Sequence, residues 1–233
     1  MTGGAGPSIC LVTDRRRLSP QARTTRDELV ALEAAIGEAA AAGIDVIQVR
    51  ERDLEDAALA AFVERVVRRT RGTTTRVIVN ERADVARAAD ADGVHLRGDG
   101  PPVARVRDWG PPSWWIGRSI HSSADVGHHE SADYLLFGTV FPSTSKPSGA
   151  PAQGIAALRE VVRVSATPIW AIGGVTLETA SACIEAGATG VAAIAAFLDG
   201  GDGADGAIGL GVVRARVEAM RRAVGRDLGK LVE

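Results

Sequence analysis

Short apolar runs alternate with longer segments of helical periodicity along nearly the whole chain. We interpret eight of the runs as buried strands, because they are short, apolar and bounded by polar or glycine residues. A typical helical segment begins at Asp27, has apolar positions at Leu29, Leu32 and Ile36, and closes at Gly43. Strands that alternate with helices require a parallel sheet, and eight such units close it into a barrel. The pattern therefore predicts an α/β protein, a single-domain TIM (β/α)8 barrel.

An open doubly wound sheet is the competing fold, but no glycine-rich dinucleotide-binding turn follows the first strand, which counts against it. The residues after that strand, Arg15 to Arg17, are interpreted as a basic loop. We expect residues 1–7 to form a flexible N-terminus, residues 8–225 the barrel and residues 226–233 a C-terminal tail. The predicted strands are 9–13, 44–50, 76–79, 92–96, 114–117, 133–138, 169–172 and 190–194.

Composition narrows the class of protein. The chain has 233 residues, of which 45% are hydrophobic, and this suits one globular domain. The formal net charge of -2 argues against nucleic acid as a partner, and no apolar run approaches the length of about 20 residues that a membrane span needs. Residues 1–7 lack the features of a signal peptide. Cys10 and Cys183 lie in apolar runs, which favours core thiols in a reducing compartment. We therefore expect a cytoplasmic protein.

Polar residues gather where the predicted strands end. In a parallel barrel these ends all face one mouth, so the residues share a site. Their charges predict a cationic mouth, which suits an anionic, phosphorylated small molecule. They are Gln48, Arg50 and Arg52; Asn80 and Glu81; His95 and Asp99; Ser119 and His121; Ser143, Ser145 and Lys146; and Gly173 and Gly174.

The last two strands end in small residues, in the segments 170–174 and 190–195. Small side chains let a ligand approach the backbone, and free N–H groups beside a helix start can hold an anion. In TIM barrels the loops after the last two strands often bind a phosphate group. We expect these two turns to do the same.

His121 is the candidate acid–base residue, because free histidine titrates near neutrality and this one follows a strand end. The alternative is a structural histidine bonded to a backbone carbonyl. His95 is expected to be a satisfied packing residue. Arg50 either binds the ligand or is a buried structural arginine paired with Glu81. Lys146 either binds the ligand or is a solvated surface lysine.

These motifs resemble the thiamine phosphate synthase/TenI family over roughly residues 9–198. Any one motif is weak, but together, in order and each at a strand end, they are specific. The resemblance implies a TIM barrel in the thiazole branch of thiamine biosynthesis. The motifs are Gln48-Val49-Arg50-Glu51-Arg52, Asn80-Glu81-Arg82, Asp92-Gly93-Val94-His95-Leu96, Ile116-Gly117-Arg118-Ser119-Ile120-His121-Ser122, Asp133-Tyr134-Leu135-Leu136-Phe137-Gly138, Val140-Phe141-Pro142-Ser143-Thr144-Ser145-Lys146 and Ala171-Ile172-Gly173-Gly174.

The resemblance implies one of two activities. The synthase joins hydroxymethylpyrimidine diphosphate to thiazole phosphate carboxylate, or to its decarboxylated form, with Mg²⁺ on the leaving diphosphate. The TenI-type tautomerase isomerises thiazole phosphate carboxylate to its aromatic form without a cofactor, and the residue matching His121 moves the proton. Glu81 and Asp99 would be metal ligands only in the synthase. The implied substrate- and phosphate-binding residues are Gln48, Arg50, Arg52, Asn80, Ser119, Ser143, Ser145, Lys146, Gly173, Gly174 and Ala195.

Several positions depart from the synthase pattern. Synthases carry Lys at Arg52, Asp at Glu81 and a second metal-binding Asp at Gly100, and they usually carry a serine at Ala195. Loss of a carboxylate weakens Mg²⁺ binding, whereas proton transfer on a phosphate-anchored ring needs no metal. The segment 117–122 resembles the TenI branch. We therefore expect a tautomerase, with the synthase as the alternative and a non-catalytic thiamine-phosphate sensor as a third hypothesis.

The sequence leaves oligomeric state open, and a homo-oligomer is one expectation. Trp109, Trp114 and Trp115 would form either an exposed apolar patch for a partner subunit or part of the packing under the barrel.

Overall fold

The structure of the chain is a computed structural model. It describes residues 6–18, 22, 24–128, 131–143, 151–200, 209 and 211–225. Among these residues, no helix combines the length and the apolar composition that crossing a lipid bilayer requires.

Eight parallel strands form a closed barrel in which each strand pairs with the next and the last pairs with the first. The predicted fold is therefore confirmed. Strand ends differ from the predicted ones by a few residues, most at the fifth strand, which continues to Ile120 and so brings His121 directly to its end. The strands are β1 (Ser8–Val12), β2 (Val46–Val49), β3 (Arg76–Asn80), β4 (Gly93–Leu96), β5 (Trp115–Ile120), β6 (Tyr134–Gly138), β7 (Ile169–Ile172) and β8 (Gly190–Ala193).

Helices surround the barrel and connect its strands. A 3₁₀ helix, Ser123–His128, follows β5. Local signals explain several helix starts: the Thr24 side chain accepts a hydrogen bond from the Asp27 amide, and Thr176 forms a capping box with Thr179. The helices of the described residues are α1 (Arg15–Leu18), α2 (Thr25–Ala41), α3 (Asp56–Thr70), α4 (Ala83–Ala88), α5 (Val103–Trp109), α6 (Gly154–Val164), α7 (Leu177–Glu185), α8 (Ala195–Leu198) and α9 (Val212–Ala223).

Two short helices differ from the sequence interpretation. Arg15 to Arg17, predicted as a basic loop, belong to α1, because Leu18 is buried and Arg15 is held by carboxylates of the next segments. After β8 the chain forms α8, which the sequence interpretation did not include. Phe197 and Leu198 of α8 are fully buried, so the turn is stabilised by packing.

Apolar side chains form two separate groups because strand residues alternate between the two faces of the sheet. The larger group lies between the strands and the surrounding helices. The smaller group fills the barrel interior and includes Cys10, Ile78, Tyr134 and Trp170. Cys10 and Cys183 are both free and buried, as predicted.

Aromatic rings fill the lower barrel interior. The ring centroids of Tyr134 and Trp170 lie 4.3 Å apart, and the Trp115 ring lies 5.5 Å from that of Tyr134. Trp114 is also buried, with 3% of its surface exposed, whereas Trp109 is 45% exposed. The hypothesis of a patch made of three exposed tryptophans is therefore wrong, because two of them pack inside the fold.

Gly117 makes room for one of these rings. It stands opposite Tyr134 in the ladder between β5 and β6, and a Cβ at Gly117 would overlap with the tyrosine ring. We expect Gly117→Ala to lower the free energy of unfolding by about 1–3 kcal/mol, as overpacking of a core does. Urea denaturation measures this change.

Gly127→Ala is the matched control. A Cβ at Gly127 has no atom within 4 Å, so we expect its unfolding free energy to stay within about 0.5 kcal/mol of the parent value. Equal effects of the two substitutions would show that the Tyr134 ring does not depend on the space beside Gly117.

Candidate functional site

A cavity of about 810 Å³ opens at the carboxyl ends of the strands. Its floor has two different halves. Polar side chains occupy the inward positions of β2 to β5, and apolar side chains occupy those of β6, β7 and β1. The polar floor residues are Gln48, Asn80, His95 and Ser119, and the apolar ones are Leu136, Ile172 and Val12. Such a floor suits a flat ring with polar atoms along one edge.

The two glycines after β7 form one wall of the cavity. Gly173 has φ 94° and Gly174 has φ 64°, and both angles lie in the left-handed region. A Cβ at Gly174 would overlap with the carbonyl oxygen of Pro142, and the carbonyl of Gly173 accepts a hydrogen bond of 2.9 Å from the amide of Phe141. Ala195, the first residue of α8, borders the same part of the cavity. These backbone segments occupy the place where TIM barrels hold a phosphate.

His121 stands at the end of β5 and also lines the cavity. Its Nδ1 donates a hydrogen bond of 2.7 Å to the carbonyl oxygen of Gly138, and its backbone amide donates to Asp125. In the neutral ring the lone pair must then lie on Nε2, which makes no hydrogen bond within the described part of the chain. The carbonyl contact that the sequence suggested for a structural histidine is therefore present, and it leaves one nitrogen able to accept a proton.

Two hydrogen-bonded groups form the polar half of the floor. Gln48 is buried, and its amide donates to the Oδ1 of Asn80 at 3.0 Å. His95 is 2% exposed, with Nε2 lying 2.8 Å from the hydroxyl of Ser119 and Nδ1 lying 3.2 Å from that of Tyr134. Burial, reinforced by the positive charges of Arg118 and Arg50, lowers the pKa of His95 to about 3. His95 is thus buried with both nitrogens paired, as predicted, and it also touches the cavity.

Arg50 and Arg52 face the cavity without a carboxylate partner among the described residues. Burial, with the nearby charge of Arg52, lowers the pKa of Arg50. The residue between them, Glu51, is buried and accepts a 3.0 Å hydrogen bond from buried Arg15, which also binds Asp53. This contact anchors the segment that carries both arginines.

The two predicted metal ligands lie on either side of Arg97. Its guanidinium is 3.5 Å from the Glu81 carboxylate and donates a 2.9 Å hydrogen bond to Asp99. The pairing of Arg50 with Glu81 is therefore wrong: Glu81 contacts Arg97 and Asn80. Asp99 lines the main cavity, whereas Glu81 borders a smaller adjoining one of about 550 Å³.

In this arrangement a guanidinium contacts both carboxylates, and among the described residues no three His, Cys, Asp or Glu side chains come close enough to hold a metal by themselves. Glu81 itself has φ 63°, a left-handed conformation that a non-glycine residue rarely adopts and that is often found at functional sites.

The cavity brings together most of the sequence-predicted residues. Ser145 and Lys146 lie outside the described residues. The predicted residues that border the main cavity are Gln48, Arg50, Arg52, Asn80, Asp99, Ser119, His121, Ser143, Gly173, Gly174 and Ala195.

Sequence reasoning missed three arginines that shape the mouth: Arg15, Arg97 and Arg118. Arg118 is 3% exposed and donates hydrogen bonds to the carbonyl oxygens of Gly98 (2.8 Å) and Gly100 (2.9 Å), which fixes the loop that carries Asp99. Its position inside the 116–122 motif was the one signal available.

Comparisons with known proteins agree with this geometry. The family model described as "Thiamine monophosphate synthase" matches residues 10–197. A thiamine-phosphate synthase of Methanoculleus marisnigri is 41% identical over 160 residues, which cover 68% of this chain and 76% of that protein. A putative thiamine-phosphate synthase 2 of Aquifex aeolicus is 31% identical and covers 83% of this chain and 98% of its own. The solved thiamine phosphate pyrophosphorylase from Pyrococcus furiosus, 29% identical, superimposes with a TM-score of 0.75 over 95% of this chain and 97% of that one.

The buried state of His95 predicts a dependence of stability on pH. Unfolded histidine takes up a proton near pH 6.5, whereas folded His95 resists it down to about pH 3. Its contribution is therefore complete above pH 6.5 and is lost as the pH falls towards 3, by up to about 1.4 kcal/mol per pH unit.

Urea denaturation of the parent and of His95→Gln at pH 7, 6 and 5 measures this effect. We expect the parent to be the more stable at pH 7 and the difference to shrink as the pH falls. A difference that stays constant over this range would mean that His95 takes up its proton at the same pH in the folded and the unfolded chain.

Proposed function

Because the chain belongs to the thiamine monophosphate synthase family, we propose that its cavity binds thiazole phosphate carboxylate and catalyses proton transfer on that ring, the reaction of a thiazole tautomerase. One observation carries the proposal: the Nε2 of His121 makes no hydrogen bond with the described residues, and His121 borders the same cavity as the glycine turn at Gly173 and Gly174. A phosphate on the turn would hold the ring in front of the imidazole.

The proposed reaction uses groups of this chain alone. The Nε2 of His121 takes a proton from one atom of the bound ring and returns it to another, so one bond to hydrogen breaks, one forms, and no co-reactant is consumed. The bond from Nδ1 to Gly138 keeps the accepting nitrogen on the ligand side throughout. Binding the phosphate ester in place makes the transfer effectively intramolecular.

The contact of Arg97 with both carboxylates supports this reaction over the synthase. Departure of a diphosphate develops negative charge that a metal ion would stabilise, and in this chain Glu81 and Asp99 are engaged by a guanidinium instead. A transfer of a single proton does not require that metal.

The synthase reaction is the second candidate. The names of the similar proteins favour it. In addition, Arg50 and Arg52 have guanidinium groups without carboxylate partners in the described part of the chain, and such groups suit a diphosphate.

An assay of the purified protein separates the candidates. With EDTA present, we expect it to convert the carboxylate tautomer to the aromatic thiazole phosphate. His121→Ala should lower kcat by about 100- to 10,000-fold, because the general base is removed, while the Kd for inorganic phosphate stays unchanged. His128→Ala, on an exposed residue of the 3₁₀ helix, is the control and should match the parent.

Other outcomes point elsewhere. Formation of thiamine phosphate only with the pyrimidine diphosphate and Mg²⁺ would establish the synthase. Tight binding of thiazole phosphate without turnover of either substrate would establish a sensor. Full tautomerase activity in His121→Ala would show that another group moves the proton.

The phosphate-binding role of the β7 turn has its own test. In Gly174→Ala the new Cβ would overlap with Pro142 and Phe141 and displace the turn. We expect the Kd for inorganic phosphate to rise about tenfold or more, as measured by calorimetry.

Gly154→Ala is the matched control, because Gly154 also has a positive φ, of 80°, but a Cβ there has no atom within 4 Å. Both variants should lose about 1 kcal/mol of stability from backbone strain, and only Gly174→Ala should lose phosphate affinity. Unchanged affinity in Gly174→Ala would place the phosphate elsewhere.

A further inference from the structure

Three side chains from adjacent strands form a line from the barrel interior to the cavity floor. Tyr134 on β6 and His95 on β4 are each 2% exposed, and Ser119 on β5 borders the cavity. The tyrosine hydroxyl lies 3.2 Å from Nδ1 of His95, and Nε2 of the same ring lies 2.8 Å from the Ser119 hydroxyl. Neither Tyr134 nor His95 has another side-chain hydrogen bond in the described part of the chain.

The direction of these hydrogen bonds follows from the surroundings of the tyrosine. Its ring packs against Trp115 and Trp170, and its hydroxyl reaches one hydrogen-bonding atom of the described residues, Nδ1 of His95. If Nδ1 carried the proton, the tyrosine O–H would be buried without an acceptor, which costs about 1–3 kcal/mol. Tyr134 therefore donates and Nδ1 accepts.

The remaining proton positions are then fixed. A neutral imidazole with a lone pair on Nδ1 carries its proton on Nε2 and donates it to the Ser119 oxygen. Because that oxygen accepts from His95, its own O–H must find an acceptor elsewhere, and the side of Ser119 that remains open is the cavity. The low pKa of His95 agrees with a neutral ring.

We propose that Tyr134 and His95 are positioning residues that present the Ser119 hydroxyl to the cavity as a hydrogen-bond donor for a lone-pair atom of the ligand, a ring nitrogen or a carboxylate oxygen. The inference rests on the proposed function for the identity of that ligand. The direction of the relay rests on the protein alone. A ligand that offers an N–H donor at this point would meet another donor and bind less well.

Nitrogen NMR of the ligand-free, ¹⁵N-labelled protein tests the relay directly. Long-range correlations between ring protons and ring nitrogens distinguish the two neutral tautomers, and the His95 signals are assigned by their loss in His95→Gln. We expect the proton on Nε2 and an accepting Nδ1 at pH 7. A proton on Nδ1, or on both nitrogens, would overturn the proposal whatever reaction the protein catalyses.

A double-mutant cycle tests the functional consequence. We expect Ser119→Ala and His95→Leu each to lower kcat/KM for thiazole phosphate carboxylate about tenfold. The double variant should lose no more than either single one, because the two residues act through the same hydroxyl. His95→Gln, whose amide can donate to Ser119, should recover most of the loss, and the Kd for inorganic phosphate should stay constant in all variants.

Additive losses, or no recovery in His95→Gln, would show that His95 has only a packing role. If the protein turns over neither substrate, the proposed function fails, but the same cycle can be run on the Kd for thiazole phosphate carboxylate. The tautomer of His95 is measured without any ligand, so the two failures remain distinguishable.

Discussion

Closure of eight parallel strands into one barrel is the constraint on which the site depends. Because β1 pairs with β8 as well as β2, every strand ends at the same rim. Side chains as distant in sequence as those of Gln48 and Ile172 therefore share one floor. The rings of Trp115, Tyr134 and Trp170 fill the interior below, so the cavity has a closed base and polar groups on the floor pair with each other, with water or with a ligand.

The parts of this arrangement that follow local rules could be predicted from sequence. Alternating apolar runs and helical periodicity predict the strands, and strand ends then predict which polar residues meet. Gly173 and Gly174 also follow a local rule, because their backbone angles admit few other residues. The prediction of a phosphate site at these glycines also used the general tendency of TIM barrels to bind phosphate in the loops after the last strands.

Pairings between charged residues could not be predicted in the same way. Arg15, Arg16 and Arg17 look alike in sequence, yet Arg15 is buried and binds Glu28, Glu51 and Asp53, whereas Arg16 stays exposed. Each partner is distant along the chain, and several carboxylates of equal charge compete for each arginine. Arg97 likewise contacts Glu81, 16 residues earlier in the chain, in addition to its near neighbour Asp99.

The charge at the mouth therefore depends on which arginines are paired with carboxylates, more than on how many arginines there are. Hydrogen bonds donated by Arg15 lower the pKa of Asp53 to about 2, and the hydrogen bonds that Arg82 donates to Asp84 and Asp56 raise the pKa of Arg82, so these charges largely cancel in pairs. Arg50 and Arg52 differ, because burial and their mutual repulsion lower the pKa of Arg50. An anion between them would relieve that repulsion and add charge-assisted hydrogen bonds at once. The hydrogen bond from Arg15 to Glu51 anchors the segment between these two arginines, which border the cavity, so we expect this contact to support anion binding from a distance.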